Sequence, residues 1–139
     1  KQALEILQKR LPNPNDYIRN PDDVKAYSQL KLANKPYEIF GVFFLDTKHG
    51  VLAFEEMFRG TIDGASVYPR EVLRSAMAHN AAAVIFVHNH PSGNAIPSEA
   101  DKRITTRLRD ALSVVDIQTL DHIIVGYGNP YSFAEHGLI

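Results

Sequence analysis

His88-Asn89-His90-Pro91-Ser92-Gly93, followed by Ser98 and Asp101, places two imidazoles, a hydroxyl and a carboxylate within fourteen residues, in the spacing H-x-H-x7-S-x2-D. On an extended chain, side chains two apart point to the same face, so His88 and His90 reach one ion while Asn89 points away. Residues 91–97 turn the chain back, and Asp101 falls in the first turn of the next helix as a third ligand. Two neutral imidazoles and one carboxylate suit Zn²⁺ and leave a fourth position for water. Closed structural zinc sites favour four ligands and cysteine, and the chain has no Cys. The spacing therefore predicts an open, catalytic type of metal site, with zinc lowering the pKa of a bound water to about 7. Ser98-Glu99-Ala100-Asp101 before an apolar helical stripe is also a capping signature. Capping accounts for Ser98 and Asp101 but not for two histidines at strand-end spacing. The roles are compatible, since a hydroxyl accepts through a lone pair and still donates its proton.

Rigid elements must hold these groups. Ala83-Val84-Ile85-Phe86-Val87 reads as a buried strand leading into His88. The helix after Ser98 carries a core stripe of Ile104, Leu108, Ala111 and Leu112. Upstream, residues 2–11 read as a short helix, residues 12–16 as a breaker-rich linker, and residues 21–34 as a helix capped by Asn20 with Pro21 at its first position. Residues 37–46 and 51–59 read as strands joined by a turn at Thr47-Lys48-His49-Gly50. Residues 69–79 are helical, with Val72, Leu73 and Ala76 on one face, and residues 119–125 and 131–134 are strands. Helices and strands alternating in this way predict an α/β fold, a three-layer mixed β-sheet flanked by helices. The expected organisation is an N-terminal helical lead-in over residues 1–36 and a metal-binding domain over 37–139.

H-x-H-x7-S-x2-D resembles the signature of JAB/MPN (JAMM) metalloproteases. Gly60-Thr61, Tyr68-Pro69-Arg70-Glu71-Val72, the His88–Gly93 run, Leu120-Asp121-His122 and the tail Tyr131–Gly137 resemble the RadC family more narrowly. The resemblance implies a JAB/MPN-like (cytidine-deaminase-like) architecture, with His88, His90 and Asp101 as zinc ligands and Ser98 as the hydroxyl that holds the oxyanion. It also implies an upstream glutamate on an earlier strand as general base. Glu55 and Glu56 both stand shortly before Gly60-Thr61. Strand alternation puts them on opposite faces and leaves the choice open, because a strand buried on both faces hides either and a bulge swaps them. On the resemblance alone, Glu55 is the expected base. The implied reaction is hydrolysis of a peptide or isopeptide bond in a protein or peptide substrate, with Glu55 moving the water proton to the leaving amine. The alternative is a catalytically silent metal-binding or interaction module in a DNA-repair or mobile-element-associated system.

Composition fits an ordinary enzyme domain, with 45% hydrophobic residues and a net charge of −1. That charge weighs against a hydrolase acting on nucleic acid and against direct nucleic-acid binding. No apolar stretch is long enough to span a membrane, and with no disulfides possible a cytoplasmic location is expected. The chain starts at Lys1 rather than Met, as a fragment or trimmed form would. The resemblance implies a helix-hairpin-helix region in longer family members, which is not expected among the residues before the first strand of this chain. His122 is expected to be a satisfied structural histidine or a support near the zinc. His49 is expected to be solvated in its turn, His79 to sit favourably at a helix end, and His136 to have no role. Lys102, Arg103, Arg107 and Arg109 read as a solvated helix face, or else as a docking patch for an acidic partner.

Overall fold

The computed structural model describes residues 20–60 and 67–139. The expected helix over 2–11, the linker over 12–16 and Thr61 lie outside the described residues. Within them the order is α1 (Pro21–Leu32), β1 (Ile39–Leu45), β2 (Val51–Arg59), α2 (Pro69–Ala78), β3 (Ala83–Asn89), α3 (Glu99–Val114), β4 (Gln118–Val125), β5 (Tyr131–Ser132) and a 3₁₀ turn at Ala134–His136.

The five strands form one mixed sheet in the order β2-β1-β3-β4-β5. Strand β1 pairs antiparallel with both β2 and β3, β3 pairs parallel with β4, and β4 pairs antiparallel with β5. All seven residues of β1 and of β3 are buried. Such continuous apolar runs belong to strands covered on both faces. Alternation sorts their side chains into two cores. On one face Ile39, Phe43, Leu45, Ile85, Val87, Ile123 and Val125 pack under Val24, Tyr27 and Leu32 of α1. On the other, Phe40, Val42, Phe44, Val84 and Phe86 pack under Val72 and Ala76 of α2 and Ile104, Leu108 and Leu112 of α3. Each fully buried phenylalanine contributes roughly 1.5–3 kcal/mol by leaving water. The result is the expected three-layer α/β architecture.

Local signals match the element starts. Asn20 Oδ1 accepts from Asp23 N at 2.9 Å, with Pro21 at the first turn of α1. In the β1–β2 turn, Asp46 Oδ1 accepts from Lys48 N and Gly50 N at 2.9 and 2.8 Å. One expected element differs: the strand over 131–134 stops at Ser132 and passes into a 3₁₀ turn. Asp121 explains the stop. Its carboxylate accepts from Ser132 Oγ at 2.6 Å, His122 N at 2.7 Å and Ala134 N at 3.0 Å, gathering residues 132–134 into a turn against β4.

The right-handed crossover rule makes β3–α3–β4 the unit that positions the site: parallel neighbours need a connection across the sheet. The carboxyl end of β3 and the first turn of α3 therefore face each other, the usual ligand crevice of α/β sheets.

Candidate metal centre

His88 is the penultimate residue of β3, on the α3 face in line with Val84 and Phe86. His90 lies just past the strand, where its N–H donates to Val125 O of β4 at 2.8 Å. The chain then folds back to Ser98, the N-cap of α3. Ser98 Oγ accepts from Asp101 N at 3.0 Å, and Asp101 Oδ2 accepts from Ser98 N at 2.8 Å. This reciprocal capping box holds Asp101 in place. The helix terminus also favours its negative charge.

The three side chains converge as expected. One ligand atom from each of His88, His90 and Asp101 lies within 4.8 Å of the others. Asp101 Oδ1 is 3.3 Å from His88 Nδ1, and Oδ2 is 3.0 Å from His90 Nε2. Bonds of about 2.0–2.2 Å to a tetrahedral zinc put neighbouring ligand atoms about 3.3 Å apart. His90 Nδ1 is 2.7 Å from Asn94 O. A carbonyl only accepts, so Nδ1 carries the hydrogen and Nε2 turns a lone pair toward a carboxylate oxygen. With the ring neutral, these two facing lone pairs need a proton or a metal ion between them. His88 is 1% exposed, and neither of its ring nitrogens has a hydrogen-bond partner. Buried unpartnered nitrogens are costly unless an ion or water completes them. The donor set thus fits a divalent cation.

The charges are mutually supporting. Burial would depress His88, but the carboxylates of Asp101 and Glu38 outweigh it and raise its pKa. Burial would raise Asp101, but His88, His90 and the Ser98 N–H hold it well below the usual carboxylate range. Asp101 is therefore ionised and ready to ligate at neutral pH.

Glu38 is the residue that sequence reading missed. It immediately precedes β1, on the same face as Phe40, which pairs with His88. Its Oε2 is 4.0 Å from His88 Nε2. Glu55, the expected base, is not brought here. It lies on β2, with β1 between it and β3, and its carboxylate contacts His79 Nε2 at the end of α2. Glu56 points to the opposite face, where burial and its charge push the Tyr27 phenol up to about 12. A partial signal for Glu38 was present: it stands at the mouth of an unbroken apolar run, which marks a strand buried on both faces but does not name its neighbour.

Supporting contacts surround the ligands. Thr105 Oγ1 donates to Asp101 O at 2.7 Å and lies 2.6 Å from His122 Nδ1. Having spent its proton, the hydroxyl accepts from the imidazole. His122 stacks on Phe133 at 4.6 Å, and burial, with the nearby His88, lowers its pKa to about 3. A neutral ring so near the ligands adds no charge against a bound cation. Elsewhere, His49 takes a positive φ of 66° in its turn, and His136 stacks on Tyr131 at 4.0 Å. Lys102 pairs with Glu99 at 3.2 Å along the exposed face of α3.

The ligand loop rests on the β4–β5 connection. Tyr127 N donates to Gly93 O at 2.9 Å, and Tyr127 Oη donates to Pro91 O at 3.1 Å. Gly93 has φ +95°, and a Cβ there would stand 2.0 Å from Tyr127 Cδ2. Gly93→Ala is therefore expected to cost about 1–3 kcal/mol through backbone strain. Displacing the His90 loop is also expected to weaken metal binding by roughly 10–100-fold. Thermal melts and metal titration check this; an unchanged melting temperature and affinity would refute it.

A sequence model described as RadC-like JAB domain matches residues 18–138. The chain belongs to this family. RadC-like relatives cover the same stretch. A UPF0758 protein of Nitrosococcus oceani is 60% identical over 139 residues, spanning 100% of this chain and 60% of the relative. One from Stutzerimonas stutzeri is 58% identical over 120 residues, 86% of this chain and 54% of the relative. One from Vibrio cholerae is 54% identical over 137 residues, 99% of this chain and 85% of the relative. The chain thus spans little more than half the length of the first two. Among the described residues no helix is long and apolar enough to cross a membrane.

Proposed function

We propose that this RadC-like JAB domain is a zinc-dependent hydrolase that cleaves a peptide or isopeptide bond. The observation that carries the reading is a second carboxylate, Glu38, 4.0 Å from His88 beside a three-ligand cluster. His88, His90 and Asp101 would hold the ion. A bound Zn²⁺ would supply Lewis acidity and lower the pKa of a water to about 7.

The rest of the chemistry falls to the chain's own residues. Glu38 replaces Glu55 as the general base. It takes a proton from the attacking water and passes it to the leaving amine, work typically worth ~10²–10⁴-fold. Ser98 is exposed at the helix N-cap, and its Oγ accepts from the Asp101 N–H. Its O–H remains able to donate to the developing oxyanion, an effect on the order of 10²–10³-fold. The buried neutral His122 and the Thr105 hydroxyl keep Asp101 and its helix turn in place. A protein or peptide substrate and a cytoplasmic location accompany this reading.

The test is cleavage of a pooled set of peptides and branched Lys-linked isopeptides, read by mass spectrometry. Cleavage is expected with the zinc-loaded protein, to be lost on chelation and restored by added Zn²⁺. Cleavage that survives complete metal removal would overturn the assignment. Metal binding without cleavage of either bond type would favour the silent interaction module.

A further inference from the structure

Asn89 sits between the two histidines, is 1% exposed, and points away from the metal cluster. Its side chain bridges to β1. Asn89 Oδ1 accepts from Ile39 N at 2.6 Å, and Nδ2 donates to Tyr37 O at 3.0 Å. These two main-chain groups flank Glu38. On the other edge, Glu38 O accepts from Gly60 N at 3.0 Å at the end of β2. The residue is thus held from both sides.

The geometry has a backbone cause. The β1–β3 ladder ends with Phe40 opposite His88. At His90 the main chain turns to β4 and gives its N–H to Val125 O. The Tyr37 carbonyl and Ile39 N–H face the space that β3 vacates, and buried backbone groups must find partners. One planar carboxamide supplies a donor and an acceptor together and stands in for the missing peptide. A carboxylate lacks the donor, and a hydroxyl is too short to span both.

We propose that Asn89 is the positioning residue for Glu38: its carboxamide locks the entry to β1 so that the Glu38 carboxylate stays over His88. This rests on the reading of Glu38 as the base. It makes the strand that carries the metal ligands also set the place of the proton acceptor, through a residue that touches neither metal nor substrate.

The test uses the full chain loaded with Co²⁺, following its visible spectrum against pH, together with Zn²⁺ affinity by chelator competition. Glu38→Gln removes a charge beside the ion and is expected to move the spectral transition by about 1 pH unit. Asn89→Leu, close in volume, is expected to move it in the same direction by at least half as much. Its Zn²⁺ affinity should fall less than ~10-fold, below the ~10–100-fold typical of residues that support a ligand. Should Asn89→Leu fail to fold, Asn89→Ser, whose hydroxyl is too short to span both groups, breaks the bridge without adding a charge. A transition that moves in Glu38→Gln but stays at the wild-type pH in the Asn89 variants overturns the positioning role alone. A transition that moves in neither removes the base assignment and this inference with it. A large loss of Zn²⁺ affinity with no spectral shift would make Asn89 a support for the histidines and refute the proposal.

Discussion

Purified His88→Ala protein is expected to hold no zinc where the wild type holds about one ion per chain. His88 is the most enclosed of the three ligands, buried between Phe40, His90 and His122. Among the described residues only His88, His90 and Asp101 form a group within ligating reach of one another; His122 is neutral with Nδ1 held by Thr105, but its ring centroid lies 6.1 Å from that of His88. Two ligands remain, His90 and Asp101, and they already contact each other at 3.0 Å. The loss should therefore exceed the ~10–100-fold that a merely supporting residue costs. Thermal stability gives a second reading. Ligand at a thousandfold excess over Kd stabilises the folded state by about 4.1 kcal/mol. For a domain of this size that is roughly 10 °C in melting temperature. Added Zn²⁺ should raise the wild-type melt by about that much and leave His88→Ala nearly unmoved. Elemental analysis and paired melts check both. Wild-type protein that takes up no zinc after incubation would sink the metal site, and with it the hydrolase.

The second large effect separates two glutamates. Glu38→Gln is expected to keep its zinc and lose ~10²–10⁴-fold in peptide or isopeptide cleavage, the span of general base catalysis. Glutamine keeps the size and loses only the basic oxygen. Glu55→Gln is expected to keep both metal and activity to within a few fold. Its carboxylate instead contacts His79, whose ring stacks on Phe44 at 4.9 Å, so its loss should register as a modest change in melting temperature. Rates measured at equal zinc content decide the matter. Full activity in Glu38→Gln, or its abolition in Glu55→Gln, would reverse the assignment.

The cluster that could hold a metal was legible because it is local. His88, His90, Ser98 and Asp101 occupy one strand end, one loop and one helix start. Period-two alternation and helix capping, both short-range rules, are enough to bring them together. The layers were legible for a similar reason: apolar runs at β1 and β3 and the stripe on α3 state which surfaces must be covered. The 3₁₀ turn after Ser132 was not, since it depends on Asp121 reaching across from β4.

The proposed base was not legible either, and the reason is strand order. Alternation tells which face a carboxylate takes, but not which strand lies beside the histidines. That depends on β1 pairing with β3 while β2 is left at the edge, a choice made by burying β1 on both faces. The pairing of Phe40 with His88 then carries Glu38 over the ligands, and a side-chain amide from β3 ties it there. Chemistry within fourteen consecutive residues follows from local geometry; the forty-nine residues between Glu38 and His88 are bridged only when the sheet closes its ladder.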